Sequence, residues 1–306
     1  MLKRFLTLLF VLTLGAALVG CGKLDNDKSI KVYTRDTTSG TRDGFFSTIG
    51  FDEAVKDNSV LAEGYVEVDG NGAMVTAVKN DEYGLGYISL SSLNNNDLKG
   101  LKFNGVEPTE DNVLNGTYTL KRNFNYMVRA EFTTITEEQI VEAYLAFLTT
   151  KDAKATIKAN DGIITISNYD PSWDSLKDNY GICLLDNSGT TIKFGGSTSV
   201  EKIAKALSAE FKTKCGNFVP EHGHTGSGDA HKRTQGSEKD GANALHIAFA
   251  SRDFKDTETA QEGTSGQICI DAIVAVVNKN NKLQDISADT LKNIYNGTTT
   301  KWSEME

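Results

Sequence analysis

Residues 29–45, SIKVYTRDTTSGTRDGF, constrain the fold more than any other stretch. Ile30, Val32 and Tyr33 are strand formers, so residues 30–35 read as a β-strand. Thr37, Thr38, Ser39, Gly40 and Thr41 follow, small and rich in hydroxyls, and residues 43–49 continue as a helix. A strand that turns through such residues into a helix start makes an anion site. The first N–H groups of a helix have no internal partners, and its dipole favours negative charge there. Gly40 lets the backbone approach a ligand, and Ser39 and Thr41 add O–H donors. Arg35 and Arg42 flank the turn with planar forks that match oxyanions. The same residues also suit an ordinary N-capped helix with two surface arginines.

A second unit of this kind lies downstream. Residues 191–194 read as a strand, Gly195-Gly196-Ser197-Thr198-Ser199 as a turn, and 200–212 as a helix with Val200, Ile203, Ala204, Leu207 and Phe211 on one face. Thr225-Gly226-Ser227-Gly228 is a third cluster of short residues, inside a polar, Gly-rich stretch at 216–246. Between the units, 64–68 reads as a short strand, 71–79 as a helix and 81–90 as a turn and strand. Residues 116–129 alternate as a long strand or two. Thr136-Glu137-Glu138-Gln139 has capping-box form and opens a helix to Leu148. Residues 162–166 read as a strand and 168–179 as a linker. Residues 247–251 and 267–278 read as strands, the second with Asp271 embedded in an apolar run. Ser287 caps a last helix closed by Asn296-Gly297. Strands alternating with helices give an α/β fold with mainly parallel sheets, and ligands bind at the carboxyl ends of such strands.

A chain of 306 residues is long enough for two lobes with separate cores. A net charge of −9 argues against nucleic acid as a partner. It does not argue against a small anion, because local N–H, O–H and Arg donors set the local field. Lys3 and Arg4 precede an apolar run at 5–19, followed by Leu18-Val19-Gly20-Cys21. This resembles a bacterial lipoprotein signal over residues 1–20, with lipid attached to Cys21 and a polar tether over 21–28. The apolar run is short for a bilayer span. Cys183, Cys215 and Cys269 lack metal-type spacing. We read them as buried thiols, one disulfide plus one free thiol being the alternative. His222, His224, His231 and His246 fall well short of a zinc pattern and read as a solvated loop. The hydroxyls lie in anion turns rather than in a G-x-S-x-G elbow, so an esterase-type enzyme is not expected.

Seven runs resemble one family, the PstS-like phosphate-binding proteins that feed ABC phosphate importers. They are Arg35-x-x-x-Ser39-Gly40-Thr41-Arg42, Gly84-Leu-Gly-Tyr-Ile-Ser89, Gly195-Gly-Ser-Thr-Ser199, Thr225-Gly-Ser-Gly228, Ala250-Ser251-Arg252, Asp271-Ala-Ile-Val-Ala-Val-Val-Asn278, and Ile294-Tyr-Asn-Gly297 with Lys301-Trp302-Ser303. Each is weak alone; together they span nearly all of 29–306. The resemblance implies a type II periplasmic-binding-protein fold, an α/β protein of two lobes with mixed sheets flanked by helices and a ligand cleft between them. It implies a monomeric, lipid-anchored solute-binding protein on the extracytoplasmic face of the cell membrane. That protein would capture inorganic phosphate and deliver it to an ABC permease, without cofactor or catalysis. A receptor for sulfate or molybdate, or less so a phosphoester hydrolase, is the alternative.

The family's usual order places the GSTS helix first and the R-x-x-x-S-G-T turn in the second half; here the order is reversed. The chain therefore resembles a circular permutant, the competing reading being a segment of a longer tandem chain. Permutation implies one lobe built from 29–99 plus 278–306 and a nearly continuous second lobe over 100–277, with the hinge near 99–105 and 277–280. Carried over residue by residue, the resemblance places Arg35, Ser39, Gly40 and Thr41, with Arg42 as a further contact, on one side of the cleft. Thr198, Ser199 and Ser227 would face them. Arg252 stands where some relatives carry an aspartate that accepts the phosphate proton. Asp271 is the candidate replacement, and a structural salt bridge to Arg252 is its equal alternative.

Overall fold

The computed structural model describes residues 25–93 and 97–305. The signal-like segment 1–20, the lipidation candidate Cys21 and the first part of the tether lie outside the described residues. The elements run β1 (Lys31–Arg35), α1 (Gly40–Thr48), β2 (Val66–Val68), α2 (Gly70–Lys79), β3 (Gly84–Ser89), β4 (Leu98–Gly100), β5 (Lys102–Phe103) and α3 (Glu110–Leu114). They continue as β6 (Lys121–Val128), α4 (Ile135–Leu148), α5 (Lys151–Ala159), α6 (Trp173–Leu176), β7 (Thr191–Gly196), α7 (Glu201–Lys214), β8 (Val219–His224) and α8 (Gly228–Thr234). The last are β9 (Ile247–Ala250), β10 (Ser265–Asn278), β11 (Asp285–Ile286) and α9 (Ala288–Tyr295).

One sheet runs through the molecule in the order β2-β1-β3-β10-β6-β9-β7-β8, with β4 also on β10. At each end the pairing is parallel: β1 with β2 and β3, and β7 with β8 and β9. In the middle, β10 pairs antiparallel with β3, β4 and β6, and β6 with β9. The sheet is mixed rather than mainly parallel because β10 and β6 cross between the two ends. Fourteen residues long, β10 pairs with β3 through Ile273–Val277 and with β6 through Ser265–Ala272.

The apolar core has two large clusters that divide along the same line. One joins Phe45, Phe46, Tyr87, Leu101, Val113 and Tyr118 to Ala275, Leu291, Tyr295 and Trp302. The second gathers Phe124, Tyr144, Phe147, Trp173, Phe194, Leu207, Phe211 and Phe249. A smaller one sets Met74 and Val78 against Ile88, Val274 and Val276. The two ends of the chain meet in the first cluster. Ile30 N–H donates to the Thr300 carbonyl at 2.8 Å, and Ser303 N–H to that of Asn26 at 2.9 Å. Under the first turn, Phe45 stacks on Tyr87 at 4.0 Å, and Tyr295 packs edge-on against Phe45. Each buried ring contributes about 2–3 kcal/mol, which fixes α1 to the sheet.

Several elements depart from the sequence expectations. The capping box lies two residues earlier than expected: Thr134 accepts from Glu137 N–H, and Glu137 accepts in return. The stretch at 162–166 is reduced to a bridge between Ile163 and Ile270. The expected linker carries α6, because Trp173 is an anchor in the second core. The polar stretch 216–246 holds β8 and α8; β8 is half-exposed at the sheet edge, so its sequence lacks an apolar run. Cys183 and Cys215 form a disulfide, and Cys269 is a buried free thiol, so the reading of three free thiols is corrected. Among the described residues no helix is long and apolar enough to cross a membrane.

Candidate functional site

Arg35 ends β1 and is 1 % exposed. Its backbone N–H donates to Tyr87 Oη at 3.1 Å, and Tyr87 Oη also meets Thr34 Oγ1 at 2.8 Å. The side chain is therefore launched from a fixed point. Its Nη2 donates to Thr198 Oγ1 at 3.4 Å, and Asp36 Oδ2 lies 3.8 Å from the same nitrogen. Nε and Nη1 are buried with no partner among the described residues. Burial disfavours the guanidinium charge, opposed by Tyr87, Asp36 and Asp69. A buried charged donor left unmade costs about 1–3 kcal/mol or more, so this arrangement is stable in a closed site only with an acceptor facing it.

The hydroxyl turns converge on the same place. Ser39 caps α1 by accepting from Arg42 N–H, and Gly40 and Thr41 form the first turn. Thr41 Oγ1 meets Ser199 Oγ at 2.9 Å, which joins the turn after β1 to the turn after β7. A Cβ on Gly40 would stand 2.4 Å from Ser227 Oγ and 2.7 Å from Ser251 Oγ, so a glycine is required where the two sides touch. Arg35, Ser39, Gly40, Thr41, Thr198, Ser199 and Ser227 are thus brought together. The sequence reading missed Asn71, Ser197, Ser251 and Arg122. Asn71 lies in the first turn of α2 and donates through Nδ2 to Ser199 Oγ at 3.1 Å; its Oδ1 is buried without a partner among the described residues.

The serines form an oriented chain. Ser251 Oγ accepts from Arg122 Nη1 at 3.2 Å and from Ser197 Oγ at 2.9 Å. With both lone pairs used, its own hydrogen goes to Ser227 Oγ, 3.0 Å away. Ser227 Oγ also accepts from Ser251 N–H at 2.9 Å. Its two lone pairs are filled, so its O–H is left to donate outside this chain.

Three expected contacts lie elsewhere. Arg42 is fully buried but turned back into the fold: Nε donates to the Ala54 carbonyl at 2.8 Å and Nη1 to that of Arg35 at 2.7 Å. It supports the turn instead of facing the cleft. Arg252 donates to both Glu258 carboxylate oxygens, at 2.6 and 2.7 Å, and lines a neighbouring cavity of about 510 Å³ with Asp43, Arg122 and Lys255. Asp271 pairs with Arg122 rather than Arg252. Its Oδ2 accepts from Arg122 Nε at 3.0 Å and Nη2 at 2.8 Å, and its Oδ1 from Ser89 Oγ at 2.7 Å. Burial pushes the Asp271 carboxyl up and the Arg122 guanidinium down; their bidentate contact opposes both. Asp271 therefore holds Arg122, and Arg122 holds Ser251.

The histidines make hydrogen bonds with one another and with the sheet, and among the described residues no three His, Cys, Asp or Glu side chains cluster as metal ligands. His222 Nδ1 meets His224 Nε2 at 3.1 Å, Ser208 Oγ meets His222 Nε2 at 2.8 Å, and His224 Nδ1 meets the Ser197 carbonyl at 3.0 Å. His246 Nδ1 accepts from Lys193 N–H at 2.8 Å.

Two apolar cores joined by the crossing strands β6 and β10 meet at helix starts, hydroxyls and an arginine with two unmade donors. Residues 185–305 match the model of the PBP superfamily domain. The resemblance to PstS-like proteins extends over nearly the whole chain. Phosphate-binding protein PstS 2 of Streptococcus agalactiae is 26% identical over 94% of this chain and 92% of its own. Phosphate-binding protein PstS 2 of Streptococcus pneumoniae is 26% identical over 99% of each chain. Phosphate-binding protein PstS of Bacillus subtilis is 24% identical over 49% of this chain and 46% of its own. The crystal structure of a phosphate-binding protein of a phosphate ABC transporter from S. pneumoniae superposes with a TM-score of 0.64 at 23% identity, covering 91% of this chain and all of that one, and so shares the fold.

Proposed function

We propose that this protein captures inorganic phosphate between its lobes and delivers it to an ABC permease, binding without turnover. The observation that carries this reading is the buried Arg35 guanidinium, with Nε and Nη1 unpartnered beside hydroxyls from both lobes. A tetrahedral oxyanion there accepts from Arg35, from Ser227, from Ser39, Thr41, Thr198 and Ser199, and from the first N–H groups of α1. Because donors come from both sides, the ligand stabilises the closed form, which the permease reads. The streptococcal and Bacillus relatives are named phosphate-binding proteins, which supports phosphate as the anion.

The lobe boundary follows the two cores: 29–99 plus 278–306 form the heart of one lobe, and Leu101, Phe103, Val113 and Tyr118 join it, moving the hinge toward β6. The permuted order draws support from the pairing of residues 26–30 with 300–303 in one core; the chain runs in the same order as the streptococcal relatives over nearly their whole length. The lipid on Cys21 would hold a monomer on the extracytoplasmic face of the membrane, and a disulfide suits that oxidising side. Calorimetric titration with phosphate, sulfate and molybdate tests the function. Phosphate binding that Arg35→Ala and Ser227→Ala abolish supports it; a response to sulfate or molybdate alone reassigns the ligand, and hydrolysis of a phosphoester refutes a pure binder.

A further inference from the structure

Hydrogen phosphate differs from sulfate at neutral pH by a proton, so a site that separates them needs an acceptor facing the ligand. Donors dominate this one. Arg35 offers Nε and Nη1, and Ser227 has only its O–H to give. Asp271 is spent on Arg122 and Ser89, and Arg252 pairs with Glu258. Among the described residues one neutral side-chain acceptor beside these turns remains without a partner. Asn71 is 5% exposed and its amide nitrogen is committed to Ser199 Oγ, which itself touches Thr41 Oγ1. Its Oδ1 is buried with no partner among the described residues. Gly70, one residue before it, lies against Thr198, the residue that receives Arg35 Nη2.

Resting on the phosphate reading, we propose that Asn71 Oδ1 accepts the P–O–H of hydrogen phosphate and is the residue by which this site discriminates against sulfate. Sulfate would set an oxygen lone pair against the amide oxygen, leaving both unsatisfied. Asp36 Oδ2 is the rival acceptor, also unpartnered, but it stands 3.8 Å from Arg35 Nη2 as that group's counter-charge and belongs to a side chain 25% exposed.

The test is calorimetric titration of wild type, Asn71→Ala, Asn71→Asp and Asp36→Asn with inorganic phosphate and with sulfate, with a thermal melt of each to show that it folds. Asn71→Ala is expected to weaken phosphate by about tenfold or more while sulfate is unchanged or tighter, so that the preference collapses. Asn71→Asp, which restores an acceptor, restores the preference. An equal loss for both anions in Asn71→Ala, or a preference lost in Asp36→Asn and kept in Asn71→Ala, overturns the assignment and leaves the phosphate reading standing. A wild type that binds neither anion overturns both.

Discussion

Replacing Gly40 by alanine separates binding from folding. Gly40 opens α1 on one side of the junction, and the added methyl would meet Ser227 Oγ at 2.4 Å and Ser251 Oγ at 2.7 Å, which follow β8 and β9 on the other side. Neither hydroxyl is free to retreat, because each is held in the serine chain that Arg122 anchors. Overpacking of this kind costs about 1–3 kcal/mol, and the cost falls only on the closed form. Phosphate affinity should drop by roughly fivefold to a hundredfold. The ligand-free protein should melt at the wild-type temperature or slightly above it, since alanine is the better helix residue. Titration calorimetry and thermal melts without ligand read the two effects. A Gly40→Ala protein that binds phosphate as tightly as wild type refutes closure through this contact; one destabilised without ligand refutes the assignment of the clash to the closed form.

Three further effects follow from the site and its supports. Arg122→Ala strands the Asp271 carboxylate in a dry core and should cost about 3–5 kcal/mol in urea unfolding, whereas replacing both partners by apolar residues should cost less; equal losses would refute the pairing. Reducing the Cys183–Cys215 bond, which closes a loop of 32 residues, should cost about 3–4 kcal/mol, read as a fall in the urea midpoint with dithiothreitol; an unchanged midpoint would show that the bond constrains nothing. Burial first, then the neighbouring His224 and Lys205, lowers the pKa of His222 from 6.5 to about 4, and burial lowers His224 too. The unfolded chain then binds protons that the native state refuses, so stability should be steady above about pH 6.5 and fall as pH drops toward 4. His222→Gln should flatten that slope, and an unchanged slope would assign it to other groups.

The parts of this site that the sequence reveals are those made locally. The turns at Ser39-Gly40-Thr41 and Thr198-Ser199 announce themselves because a strand former, short hydroxyl residues and a helical stripe stand next to one another in the chain. What stays hidden depends on distant residues. Asp271 reads as unusual in an apolar strand, but its partner Arg122 is 149 residues away and looks like any charged residue on an alternating strand. Arg42 carries the right chemistry for an anion and is claimed by two carbonyls, which composition cannot show. Arg252 is claimed by Glu258, six residues on, a pairing that the sequence permits without requiring. Asn71 had a signal of its own: a polar amide after Gly70 at a helix start, where φ is +79° and only glycine sits easily. Its meaning appears only when α2 is set against Ser199.

Arg35 keeps Nε and Nη1 buried and without a partner among the described residues, and the proposed function reserves them for an anion. Thermal melts of Arg35→Met and wild type, each with and without phosphate, test it most directly. Phosphate is expected to raise the wild-type midpoint and leave that of Arg35→Met unmoved, while the ligand-free variant melts no lower than wild type, because removing a buried guanidinium with two unmade donors offsets the loss of its Thr198 hydrogen bond and its 3.8 Å contact with Asp36. A variant that is still stabilised by phosphate, or that is less stable than wild type without it, would contradict the claim.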